Sequence, residues 1–155
     1  MDRIIFRQDG PIGYLTLNRP DKYNAVDKEM LCEFEEFINA RMYDNSVCVI
    51  ILDGGDAKGF CAGLDMQTFG PQIFDMQPVD AYNAQVRLSR MMLGLRKIPQ
   101  PVICCVHGAA AGIGFSLAMA SDIRILAEDA KFCAAYINIG LGGADMAASY
   151  FLPRL

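Results

Sequence analysis

The chain has 155 residues, of which 53% are hydrophobic, a length that fits one domain over residues 1–155 and can bury a sizeable core. Charged residues make up 21% and the formal net charge is −4, with no basic cluster of the kind that tracks a phosphate backbone, which argues against a nucleic-acid partner. The start, Met1-Asp2-Arg3, leads into a charged segment rather than an export core, so no signal peptide is expected.

The first predicted elements are two strands, Arg3 to Arg7 and Ile12 to Asn18, joined into a hairpin across Gln8-Asp9-Gly10-Pro11. A polar loop over Asn18 to Asn24 precedes a helix from about Asp27 to Met42, whose apolar residues Met30, Leu31, Phe34, Phe37, Ile38 and Met42 recur at helical spacing. The apolar run Val47 to Leu52 reads as a buried strand. Cys61 to Asp65 enters a short helix, Thr68 to Asp80 with its two prolines reads as a mobile loop, and a long helix covers Ala81 to Leu95. Pro101 to Val106 is a further buried strand, Gly108 to Gly114 a glycine-alanine turn and Phe115 to Ala120 a helix. Strands at Ile123 to Leu126 and Lys131 to Phe132 follow. This alternation of strand and helix argues for α/β crossover units.

The stretch from Ile98 to Ser121 carries no formal charge, but Pro99, Pro101, His107 and three glycines fit a strand, turn and helix better than a membrane span. None of the six cysteines forms a C-x-x-C pair and the single histidine is His107, so no zinc site is expected. Most of the cysteines lie in apolar runs and read as small buried hydrophobes, a usage that suits a reducing, cytoplasmic compartment.

Two segments share a physical design: Phe60-Cys61-Ala62-Gly63-Leu64-Asp65 and Gly108-Ala109-Ala110-Ala111-Gly112-Ile113-Gly114. Each is a small-residue turn between a strand and a helix, where backbone N–H groups are left unpaired and the helix dipole favours negative charge. Two such groups converging on one point make an oxyanion hole. The second segment also matches a nucleotide-binding turn, which keeps an NAD(P)-dependent reductase open. Such a turn belongs after the first strand of its domain, however, and the Tyr-x-x-x-Lys pair of such reductases is not found at Tyr136, where Gly140 stands four residues on.

Leu17-Asn18-Arg19-Pro20, Asn24-Ala25, Phe60 to Asp65, Pro101 to Asp122, and Lys131-Phe132 through Gly140-Leu141 to Leu152-Pro153-Arg154-Leu155 occur in this order at spacings that resemble the crotonase (enoyl-CoA hydratase/isomerase) superfamily. The resemblance spans essentially the whole chain. It implies an α/β fold with a ββα spiral core that binds an acyl-CoA thioester, coenzyme A entering as part of the substrate with no separate cofactor. The thioester carbonyl is then expected between the N–H groups of Leu64 and Ile113. Lys22, Asn24, Ala25 and Ala62 are expected to line the CoA channel. Gly63, Asp65 and Met66 would wrap the pantetheine and thioester end, beside Gly112. The family usually carries glycine where this chain has Ile113, so that donor requires Ile113 to adopt the local φ/ψ.

The chain departs from the family pattern at both positions where hydratases carry glutamates. By register these are Ser116 and Tyr136, and a hydroxyl is a poor general base without an activating partner. Asp145 stands where dienoyl-CoA isomerases of the family carry a catalytic aspartate, and also where dehalogenases carry a nucleophilic one, although the histidine of the latter would fall near Ser89. Asp145 is equally readable as a helix N-cap. Bland readings stand beside the others: Ser116 as a packing residue, Tyr136 as a pocket wall, His107 as a structural hydrogen-bonding group, Asp65 as a helix cap, and Asp122 and Arg124 as structural.

Family subunits usually run well past the length of this chain, with further helices that close the acyl pocket and build trimers. The resemblance therefore implies a truncated or fragmentary core without that C-terminal helical region, with apolar surface exposed where the helices pack, and a homo-oligomer (trimer or dimer of trimers) for the full-length subunit. Three functions remain open: an acyl-CoA enzyme for which double-bond isomerisation fits the residues better than hydration, a catalytically silent acyl-CoA-binding or interaction module, and, behind these, an NAD(P)-dependent reductase.

Overall fold

The computed structural model describes residues 2–73, 75–142 and 145–155, and for residues 71–73 and 145 the backbone alone. Strands β1 (Ile4–Asp9) and β2 (Ile12–Leu17) form the expected antiparallel hairpin, with Gly10 at φ 55° in its turn. Helix α1 (Lys28–Arg41) follows and is N-capped by Asp27, whose carboxylate accepts the Met30 N–H at 2.9 Å. Strand β3 (Val49–Asp53) then pairs parallel to β2.

The chain continues through α2 (Met66–Ile73), α3 (Pro78–Lys97), β4 (Val102–Val106), β5 (Ala109–Ala111), α4 (Ile113–Ala120), β6 (Ile123–Leu126), β7 (Lys131–Cys133) and α5 (Ala148–Phe151). The main sheet has the order β1-β2-β3-β4-β6, parallel from β2 onward. A second sheet pairs β5 with β7 in parallel.

The core lies on one face of the main sheet. Leu15, Leu17, Ile50, Leu52, Val102, Cys104 and Val106 share a cluster with Phe34, Phe37 and Ile38 of α1 and Leu88, Met91, Met92 and Leu95 of α3. Gly94 of α3 sits so close to Ile38 that a side chain there would overlap it, which lets the two helices pack tightly. Among the described residues, no helix is long and apolar enough to cross a membrane, and no three or more His, Cys, Asp or Glu side chains group as metal ligands would.

Four expectations need correction. The segment 68–80 is not a loop: α2 occupies most of its first half and α3 begins at Pro78, a residue suited to the first turn of a helix. Phe69 supplies the buried anchor that the helix needs. The glycine-alanine turn contains β5, because Ala109 to Ala111 pair with Lys131 to Cys133. Strands β3 and β4 are buried on one face only: Val49, Ile51, Ile103 and Cys105 stay half-exposed, because the helices that share the core pack on the opposite face. Of the cysteines, Cys61 and Cys104 are buried, whereas Cys32, Cys48 and Cys133 are exposed, on the outer side of α1, before β3 and in the small sheet.

Candidate functional site

Two turns meet at the site. The first follows β3 and is held from both sides. Val26 pairs with Leu64 as an isolated parallel bridge, in which the Val26 N–H donates to the Gly63 carbonyl at 2.8 Å and the Asp65 N–H donates to the Val26 carbonyl at 2.9 Å. Alternate residues of a strand direct their N–H groups to opposite sides, so that of Leu64 is directed away from Val26. Among the described residues no acceptor faces it.

The second turn follows β4 through β5. Cys61 and Ala110 form another parallel bridge, with the Cys61 N–H donating to Ala109 at 3.1 Å and the Ala111 N–H to Cys61 at 2.9 Å. Gly112 then takes φ 51° and ψ −114° as the N-cap of α4, and its N–H donates to the Cys133 carbonyl of β7 at 3.0 Å. Ile113 is the first residue of α4, where the backbone N–H has no partner inside the helix. The positive φ falls on Gly112 and not on Ile113, so the isoleucine sits in ordinary helical geometry with its N–H intact.

The two turns touch. A Cβ on Gly63, at φ 99°, would come within 2.9 Å of the Ala111 carbonyl oxygen, and one on Gly112 would lie 3.8 Å from the Gly63 Cα. Gly114 is packed so closely on the Cys61 carbonyl that no Cβ fits there. Small residues at these three positions bring the N-terminus of α4 against the first turn.

A cavity of about 320 Å³ opens over this junction. It brings together Ala62, Gly63, Leu64, Met66, Gly112, Ile113 and Tyr136. It does not include Lys22, Asn24, Ala25 or Asp65. Lys22 is exposed and donates to Gln67 Oε1 at 3.2 Å. Asn24 is fully buried at φ 55°. It donates to the carbonyls of Gly54 (2.8 Å) and Phe60 (3.0 Å) and accepts the Arg19 N–H (2.8 Å). The Ala25 carbonyl accepts from Arg19 Nη1 at 2.8 Å.

Asp65 caps α2, accepting the Gln67 N–H at 2.9 Å, and pairs with Arg19 Nη1 at 2.6 Å. Burial pushes its carboxyl pKa up, but the Arg19 guanidinium and the Gln67 and Thr68 N–H groups outweigh this, and the result lies below the ordinary 3.8. Beneath the turn, burial pushes the Cys61 thiol up to about 12, so it is a neutral packing group that donates to the Asn24 carbonyl. The side chain of Asp145 lies outside the described residues; its backbone begins a short 3-10 turn, and the next residue, Met146, lines the cavity.

Ser116 is completely buried and its hydroxyl has no partner among the described residues. His107 makes the structural contact expected of it, to the Ala57 carbonyl at 2.8 Å. Asp122 accepts the Val102 N–H at 2.8 Å and pairs with Arg96, while Arg124 donates to the Ser121 carbonyl at 2.7 Å.

Sequence reasoning missed two groups of residues. Arg19 belongs to the quoted Asn-Arg-Pro motif, yet its role shows only in three dimensions. The far wall of the cavity was missed as well, although Ala81, Ala84, Gln85 and Leu88 of α3 recur at i, i+3, i+4 and i+7. That spacing marks one face of a helix and was available in the sequence.

This arrangement agrees with what the chain resembles elsewhere. The family model for enoyl-CoA hydratase/isomerase matches residues 7–155. The "Probable enoyl-CoA hydratase echA12" of Mycobacterium leprae (strain TN) is 38% identical over 146 residues, 92% of this chain and 49% of the relative. The 1,2-epoxyphenylacetyl-CoA isomerase of Escherichia coli (strain K12) is 33% identical over 155 residues, all of this chain and 58% of the relative. The crystal structure of an enoyl-CoA hydratase from Polaromonas sp. JS666 matches with a TM-score of 0.86 at 32% identity, covering 97% of this chain and 58% of that one. The chain thus spans about half the length of the curated relatives it matches. The mixed α/β fold shared with these structures and the match along nearly the whole sequence have one explanation: the chain belongs to the enoyl-CoA hydratase/isomerase family.

Proposed function

We propose that the cavity takes the acyl end of a CoA thioester, with the carbonyl oxygen between the N–H groups of Leu64 and Ile113. The observation that carries this reading is the abutment of two turns, each with an N–H that finds no acceptor among the described residues, one of them at a helix N-terminus. Negative charge that develops on the oxygen of an enolate is stabilised there by about 3 kcal/mol per donor. Gly63 and Gly112 allow the close approach, and Met66 and Tyr136 wall the thioester end. Lys22, Asn24, Ala25 and Ala62 belong to the CoA side, with the exposed ammonium of Lys22 suited to phosphate and buried Asn24 and Asp65 holding the loops in place. No cofactor is needed beyond the CoA of the substrate.

Isomerisation of a double bond fits the chain better than addition of water. Hydration uses two carboxylates, and Ser116 and Tyr136 occupy those places. Isomerisation needs one base: Asp145 removes a proton from C2 of a 3-enoyl thioester, the electron pair passes to the carbonyl oxygen, and the proton returns at C4. A silent acyl-CoA-binding module is the second reading, favoured by the fact that no carboxylate lines the cavity among the described residues.

Incubation with 2-enoyl-, 3-enoyl- and dienoyl-CoA thioesters, with product analysis, tests the proposal. The expected outcome is double-bond migration without hydration and without added cofactor. Asp145→Asn should reduce turnover by at least about a hundredfold while thioester binding persists. Binding without turnover in either form supports the silent module, and absence of CoA thioester binding overturns the site.

A further inference from the structure

Past the two turns, the cavity is walled by Met66 and Phe69 of α2, by Met76 in the connection before α3, by Ala84 and Leu88 of α3, and by Met146. Among the described residues, none that lines it carries a formal charge, and its polar side chains are neutral. A carboxylate at the far end of a ligand would lose its water there and gain no cation in return. The volume sets a second limit. A cavity of ~150 Å³ takes one six-carbon ring, so about 320 Å³ holds roughly twice that amount of hydrocarbon, part of it next to the thioester. The three methionines have unbranched, polarisable side chains that adapt to the shape of what they contact, so they restrict length and charge more than outline.

We infer that this site selects an uncharged hydrocarbon acyl group of medium length, extending to about ten carbons, and rejects dicarboxylyl thioesters. The inference rests on the reading of the cavity as an acyl-CoA site and names the class of acyl group that it takes. Ala84 determines the upper limit: it is half-buried on the face of α3 toward the cavity, and a larger side chain there would occupy the acyl volume.

Calorimetric titration of the whole chain with non-reacting saturated thioesters tests this: butanoyl-, hexanoyl-, decanoyl-, tetradecanoyl- and glutaryl-CoA, with free CoA as reference. Affinity should rise about fourfold per methylene from butanoyl to decanoyl, then level off by tetradecanoyl. Glutaryl-CoA should bind at least about tenfold more weakly than hexanoyl-CoA. Ala84→Phe should narrow the ratio between decanoyl and butanoyl affinities, and the wild-type series stands by itself should that variant not fold. A series independent of chain length, or glutaryl bound as tightly as hexanoyl, overturns the inference and leaves the acyl-CoA reading intact. Failure of every thioester and of free CoA to bind overturns both.

Discussion

Arg19 is the residue through which three separate segments depend on one side chain. Its Nε pairs with Asp27 at 3.1 Å, at the head of α1, and its Nη1 pairs with Asp65 at 2.6 Å, beside the first turn. The same Nη1 donates to Ala25. Asp27 keeps a second partner in Arg3 at 2.9 Å, so removal of Arg19 falls hardest on Asp65. Arg19→Ala should cost about 3 kcal/mol in urea unfolding, since a buried carboxylate loses its cation. Arg19→Lys should recover only part, because an ammonium cannot reach both carboxylates as a planar fork does.

The pH response follows from the same pair. The folded-state pKa of Asp65 lies below its unfolded value, so its contribution is present above about pH 4 and is lost as pH falls through the folded value. Stability measured between about pH 6 and 3 should therefore fall on acidification. Asp65→Asn should flatten that fall; an unchanged slope would mean that other carboxylates control it. The helix-capping role of Asp65 was legible in the sequence, because a cap is local. Its pairing with Arg19, 46 residues away, was not, since no local period records such a contact.

At the scale of elements, the seam between the first turn and α4 has no room to spare. A Cβ at Gly114 would overlap the Cys61 carbonyl, which itself accepts the Ala111 N–H. Gly114→Ala should therefore destabilise the chain by about 2 kcal/mol through overpacking, and should weaken acyl-CoA binding by moving the Ile113 N–H. Gly142→Ala is the control: among the described residues no atom lies within 4 Å of its would-be Cβ, and a thermal unfolding curve close to wild type is expected. Equal losses for the two variants would show that the seam is less tight than the distances imply.

The two glycine-containing turns were legible before the fold, because small residues between a strand and a helix are a local signal. That β5 runs through the second one was not, because its partner β7 lies about twenty residues on and pairs only in the folded chain. Helix α2 was obscured by Pro71 and Pro78, which read as loop residues, whereas Pro78 opens α3.

The whole molecule is asymmetric. Helices cover one face of the main sheet; on the other, Ile5, Ile123 and Ile125 are exposed, with Ile125 at 58%. Beyond the sheet, Ile137, Tyr150, Leu152 and Leu155 are exposed as well, Ile137 at 70%. The apolar runs of β3 and β4 pointed to burial on both sides, and periodicity by itself does not reveal which layer is present to cover a strand. β6 also lies at the edge of the sheet, where unpaired backbone groups add to the tendency to associate. The chain should self-associate with increasing concentration, and sedimentation velocity over a wide concentration range measures this. A closed trimer gives one boundary that saturates, whereas open-ended association gives species that keep growing. Ile123→Lys combined with Ile125→Lys places two charges on that edge strand, and should shift the distribution toward monomer without affecting the helix-covered core. A chain that remains monomeric throughout, or a double variant that associates as the wild type does, would mean that this face is not what brings copies together.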